Sequence, residues 1–206
     1  MSGSSSLRSN LSASLRAHVP ADALEAEHRA RMLALVDGAP RGDGLPRADR
    51  PDPCSRAHFE PGHFTASAFV LSPDSASLLL ILHGKLGLWL QPGGHIDPSD
   101  VDVHAAARRE VAEETGLTEL DAVAGLSLLD LDVHSLPPNP KRGEPAHEHF
   151  DVRIALRART WTAMAGSDAL STRWVPLDEV AEIGTDESVR RAARTLRRSL
   201  VATGAI

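Results

Sequence analysis

Between Pro92 and Leu117 a glycine turn, Pro92-Gly93-Gly94, precedes a segment with the pattern of a short capped helix, and this pairing constrains the chain more than any other feature. The helix is expected from about Val103 to Thr115. Asp102 stands where an N-cap side chain accepts from the first backbone N–H groups, and Gly116 stands just past the end, where glycine terminates a helix. Positions three and four apart on a helix share a face, so Glu110, Glu113 and Glu114 project toward one small volume. Three carboxylates placed together repel one another unless a cation lies among them. Hard oxygen ligands in that number suit Mg²⁺ or Mn²⁺, and Mg²⁺ typically keeps waters and substrate phosphate oxygens in its remaining positions. The glycine turn lets backbone approach closely, so a carbonyl near Gly94 can complete the coordination. Arg109, four residues before Glu113, can pair with a carboxylate and hold its rotamer. Taken alone, the acidic trio reads better as a solvated helix face; the fixed combination of glycine turn, Arg-Glu pair, Glu-Glu pair and terminating glycine overturns that in favour of the metal site.

The rest of the chain supplies an α/β frame. Apolar Leu24, Met32, Leu35 and Val36 predict a helix between Pro20 and Val36, with Pro20 suited to its first turn. Residues Asp37 to Ser55 collect Gly, Pro, Asp and Arg without a period and read as a linker, so the expected division is a helical arm and linker over 1–56 and a catalytic domain over 57–206. Phe64 to Leu71 and Ser77 to Leu82 predict a hairpin of buried strands around Ser72-Pro73-Asp74. Further strands are expected at Ala124 to Val133 and Phe150 to Ala158, separated by a proline-laden loop from His134 to His147. A last helix, about Glu187 to Val201, puts Val189, Ala192, Ala193, Leu196 and Leu200 on one face, with its five arginines read as a solvated opposite face. This order suggests helices on both sides of a mixed sheet.

The stretch from Gly94 to Leu117 resembles the Nudix box: Gly, five residues, Glu, seven residues, then Arg-Glu-apolar-any-Glu-Glu-any-Gly-apolar. Arg109 to Leu117 matches at every specified position. Asp100 stands where the box has its first Glu, with eight residues rather than seven before Arg109, and one added residue in the loop before Asp102 absorbs the shift without rotating the helix. Trp89 to Gly94 is similar to the family's approach to the box, and Arg173 to Val180 to its late strand followed by a short helix, so the resemblance covers about residues 60 to 200. It implies a Nudix-like α/β/α sandwich with an N-terminal helical extension, a pyrophosphohydrolase, metal ligation or water activation by Glu110, Glu113 and Glu114, a carbonyl ligand at Gly94, and Arg109 as orienting partner. Which glutamate is the base varies within the family. A diphosphate isomerase or a non-catalytic nucleotide-sensing module can share the fold; retention of all three glutamates favours catalysis.

Composition narrows the partners. A net charge of −6 disfavours a protein that holds long nucleic acid through a basic surface, whereas a metal can still recruit a small nucleotide-like diphosphate. Cys54 is the only cysteine, which excludes an internal disulfide and fits a reducing compartment. With no apolar stretch long enough for a signal peptide or membrane span, the expectation is a soluble cytoplasmic protein, and a homodimer is compatible with the sequence. Outside the box, His147 and His149 alternate with Glu148, so in an extended segment they share a face with Asp151 and suit metal or phosphate, or structural hydrogen bonds. Lys141 and Arg142, among Pro137, Pro138 and Pro140, can meet a substrate phosphate or stand solvated. His83, Lys85 and His95 flank the glycine turn, Trp89 suits packing better than base stacking, and His58 and His63 have too little context to use.

Overall fold

In a computed structural model, which describes residues 3–38, 51–166 and 169–205, the chain is α/β. Its helices are α1 (Gly3–Ala17), α2 (Ala23–Val36), α3 (Val103–Thr115) and α4 (Glu187–Ala202). Its strands are β1 (Gly62–Leu71), β2 (Ser77–His83), β3 (Trp89–Leu90), β4 (Gly93–His95), β5 (Leu120–Ala122), β6 (Asp130–Leu136), β7 (His147–Ala158) and β8 (Ala169–Pro176). The fold class agrees with the expectation from sequence. The chain forms two compact units, one of Met1–Ala66, His95–Ala106 and Leu131–Val152, the other of Ser67–Gly94, Ala107–Asp130 and Arg153–Ile206; β1, β7 and α3 give residues to both.

In the second unit the sheet runs β3-β2-β1-β7-β5, with β8 beside β2. β1 and β2 form the expected antiparallel hairpin, Val70 opposite Leu79 and Leu71 opposite Leu78. Every residue of β1 is buried, as in a strand covered on both faces, which is why its apolar run does not alternate. The apolar stripe of α4 packs with Phe69, Leu71, Leu78 and Leu80 into one core, where each fully buried large side chain contributes roughly 1.5–3 kcal/mol. The solvated reading of the α4 arginines fails at Arg191. That side chain is buried and pairs with Asp130 at 2.9 Å, and Asp130 also takes Arg153 at 3.1 Å. Arg153 in turn donates to the Ser188 carbonyl and hydroxyl, which ties the first turn of α4 to the sheet.

The first unit is built on the N-terminal helices. Asp22, not Pro20, starts α2: its Oδ1 accepts from Glu25 N–H at 2.9 Å. The buried Glu25 carboxylate accepts from Ala21 N–H at 2.6 Å and from Leu131 N–H at 3.1 Å, and His28 Nδ1 donates to the Leu131 carbonyl, so α2 is hydrogen-bonded to β6. Arg31 pairs with Glu148 of β7 at 2.5 Å. A helix at Gly3–Ala17 was not anticipated; Leu7, Leu11 and Leu15 bury on it, and Arg8 reaches the Val36 carbonyl.

Other differences have local causes. Of the strand expected at Ala124 to Val133 only the part from Asp130 is extended, as the start of β6; the residues before it turn, with Gly125 at a positive φ of 78°, and β5 ahead of that turn was not anticipated. β6 continues to Leu136, shortening the proline loop, and residues 177–184 after β8 form turns rather than a short helix. Part of the expected linker, 39–50, lies outside the described residues; Cys54 and His58 beyond it are buried.

Candidate functional site

The box helix forms as the sequence predicts. Asp102 Oδ1 accepts from Ala105 N–H at 2.8 Å, and Gly116 takes a φ of +71° one residue past the end. The three glutamates and the glycine turn then meet within the second unit. A Cβ on Gly94 would lie 2.6 Å from the Glu110 carboxyl carbon, so only glycine admits that carboxylate against the backbone. Gly93 N–H donates to Glu114 Oε2 at 2.9 Å. Arg109 bridges Glu110 at 2.8 Å and Glu113 at 3.3 Å, offsetting their mutual repulsion and fixing both rotamers. Thus Gly94, Arg109, Glu110, Glu113 and Glu114 are brought together.

One contributor had no signal in the sequence. The segment before β8 closes the C-terminal end of α3: Met164 N–H donates to the Thr115 carbonyl at 2.9 Å and Gly166 N–H to the Glu114 carbonyl at 2.8 Å. These bonds satisfy carbonyls that a helix end leaves unpaired. A Cβ on Gly166 would sit 2.0 Å from the Glu113 carbonyl oxygen, so Gly166 is required for that approach. The backbone of Glu114 and Thr115 is therefore held from outside the helix.

In the first unit, Asp100 orders the loop after the turn: its Oδ2 accepts from Asp97 N–H at 2.8 Å and its N–H donates to the Asp97 carbonyl. His147 and His149 do share a face of β7, and the structure adds His63 of β1, which sequence reasoning set aside. The three imidazoles pack with ring centroids 4.8 to 5.4 Å apart. His95 lies 5.1 Å from His63, and Phe59 meets His147 edge-on. Burial, reinforced by neighbouring histidines, pushes His149 down to about 2 and His63 to about 4. His95 falls to about 4 from burial first and then the nearby Arg56 charge. These rings are neutral at physiological pH, which removes the electrostatic reason for a phosphate to seek them.

The remaining candidates separate cleanly. Lys141 and Arg142 are exposed in the turn bridged by Asn139 and Glu144, and the Arg142 charge reaches His95. Asp151 accepts from the Thr65 hydroxyl, and Glu148 and Glu144 pair with Arg31 and Arg56. His83 Nδ1 caps the turn at Lys85 and Leu86, and Trp89 packs on the apolar core. Burial, then Asp52, pushes the Cys54 thiol up, so it is no nucleophile at neutral pH. No helix among the described residues is long and apolar enough to cross a membrane.

The NUDIX domain family model matches residues 61–197. Among solved structures, an Ap4A hydrolase from C. elegans, in a binary complex, is similar at a TM-score of 0.52 and 17% identity over 68% of this chain and 98% of that one. A Nudix hydrolase from M. smegmatis, RenU, is similar at a TM-score of 0.50 and 18% identity over 68% of this chain and 86% of that one. At such identities the likeness speaks to the fold. No curated protein is significantly similar in sequence. With a family match across about two thirds of its length, the chain belongs to the NUDIX domain family and is a pyrophosphohydrolase.

Proposed function

We propose that this enzyme depends on Mg²⁺ or Mn²⁺ and cleaves the diphosphate linkage of a nucleotide or nucleoside diphosphate derivative, with Glu110, Glu113, Glu114 and the Gly94 carbonyl as the metal-holding groups. The observation that carries this reading is the absence of room for a Cβ at Gly94, where the Glu110 carboxylate closes on the backbone 2.6 Å from that position. A carboxylate pressed against a glycine turn, beside two more on the same helical face, fits a hard cation with mixed carboxylate and carbonyl oxygens. When bound, such an ion offsets charge on the phosphate oxygens and makes water more acidic.

The chain's own groups do the rest. Arg109 keeps Glu110 and Glu113 from splaying apart, and Gly93 N–H fixes Glu114, so the trio is preorganised at low cost when the substrate arrives. One of the three takes the proton of the attacking water as its oxygen bonds to phosphorus. The bridging P–O bond breaks, and the departing phosphate keeps the bridging oxygen. Lys141 and Arg142, exposed on their turn, are proposed as phosphate-contacting groups. The buried free thiol of Cys54 suits a reducing, cytoplasmic setting.

The test is a metal-stripped preparation screened against a nucleotide library, with products identified by mass spectrometry. No turnover in chelator, recovery with Mg²⁺ or Mn²⁺, and products cut at a phosphoanhydride are expected. Full turnover in excess chelator defeats the metal; an isomerised product without cleavage, or tight nucleotide binding without turnover, defeats hydrolysis.

A further inference from the structure

We propose that His63, His147 and His149 form a second, nitrogen-donor metal site in the first unit, selective for a borderline first-row divalent ion such as Zn²⁺ over Mg²⁺. Each residue offers one ligand atom, and these three nitrogens lie within 4.8 Å of one another. A tetrahedral ion with Zn–N bonds of about 2.0–2.1 Å needs nitrogens about 3.3–3.4 Å apart. The remaining approach is up to roughly 1.4 Å shared among three side chains, the difference between those two spacings.

The second shell is already arranged. A backbone carbonyl can only accept, so His147 Nδ1, 2.8 Å from the Pro145 carbonyl, must carry its proton, and so must His63 Nδ1, 3.2 Å from the His58 carbonyl. That fixes the tautomer and leaves Nε2 of both rings as lone-pair donors, as in metal-ligating histidines whose other nitrogen donates to a carbonyl. His63 Nε2 and His149 Nε2 are buried without a hydrogen-bond partner, although His63 is only 1% exposed. Unpartnered buried polar nitrogens are rare and ask for a ligand.

The donor type selects the ion. Imidazole suits Zn²⁺, Cu²⁺, Ni²⁺ and Fe²⁺, whereas Mg²⁺ demands oxygen. The neutral, desolvated rings of His63 and His149 need no proton removed before they ligate, and those two have no charge to offer an anion. Three protein ligands leave a fourth position for water. Gly62 makes the arrangement feasible: a Cβ there would lie 1.7 Å from the Glu148 carbonyl, so only glycine lets β1 approach β7 closely enough to present His63 to His147 and His149.

The full chain carrying Glu114→Gln, which weakens the carboxylate site, is stripped of metal and titrated calorimetrically with Zn²⁺, and with Co²⁺ as an optical reporter. One equivalent should bind, raise the Tm and give the intense visible bands of four-coordinate, nitrogen-rich Co²⁺. His147→Gln and His149→Gln, checked for fold by circular dichroism, should each weaken Zn²⁺ at least tenfold. Should either variant fail to fold, imidazole ¹⁵N spectra of the unsubstituted histidines decide: Zn²⁺ must shift Nε2 of His63 and His149. Unchanged ring nitrogens, unchanged affinity in the folded variants, or histidine-dependent binding of inorganic phosphate in place of Zn²⁺ overturns the proposal. None of these readouts is turnover, so the outcome is separate from that of the hydrolase reading.

Discussion

The carboxylate helix and the histidine cluster are opposite ways of assembling a site. Glu110, Glu113 and Glu114 come from one helical face within five residues, carry charge, and include an open member, Glu113, with its side chain 59% exposed. His63, His147 and His149 come from two strands far apart in sequence and are largely buried, and burial holds His63 and His149 neutral. Helical spacing makes the first site local, so it survives translation into sequence as a motif. Strand pairing makes the second non-local, so its members look like isolated histidines until β1 lies beside β7. Charge is also handled differently: Arg109 bridges Glu110 and Glu113, whereas burial suppresses the charge of His63 and His149.

The carboxylate site is most sensitive at Glu114. Glu114→Gln keeps side-chain shape but removes a charge proposed to hold the metal, and a loss of turnover of roughly a hundredfold or more is expected with the fold intact. Glu119→Gln, beyond the helix, should leave steady-state rates unchanged; equal rates for wild type and Glu114→Gln at low metal would return the trio to an acidic surface. Gly94→Ala comes next. A methyl 2.6 Å from the Glu110 carboxyl must push that flexible side chain aside, so about tenfold lower kcat/KM and weaker Mn²⁺ binding are expected, with little change in Tm.

Acid titration sharpens the contrast from the other side. His63 and His149 have folded values near 4 and 2, below the ordinary 6.5, so the unfolded chain binds their protons first. Their contribution to the stability of metal-free protein is intact above about 6.5 and lost as pH falls toward 4 and below. A Tm that drops across that window in wild type, and drops less in His149→Gln, is the expected result; a Tm flat from 7 to 4 would mean the rings are protonated or solvated. The smallest effect is predicted for Lys141→Ala with Arg142→Ala. Exposed charges act weakly through solvent, so KM should rise severalfold with kcat preserved, and an unchanged KM would make the pair a solvated turn.

Much of the frame was legible because its signals are short-range. Asp102 and Gly116 marked both ends of α3, the period of α4 exposed its apolar stripe, and the hairpin followed from two apolar runs around a turn. α1 was also written in the spacing of Leu7, Leu11 and Leu15, masked by the serines around them. Arg191 shows the limit of pattern: it sits among arginines that face solvent, yet Asp130, on a distant strand, draws it into the interior.

By itself the sequence determined the family, the α/β class and the carboxylate face, since helix caps, helical periodicity and a glycine turn act over a few residues. Only the tertiary structure decided that Glu110 closes on Gly94, that Gly166 seals the end of α3, and that His63 joins His147 and His149. Those outcomes depend on which backbones can approach one another across long loops. Such approach is governed by steric fit and burial after folding, which no local spacing encodes.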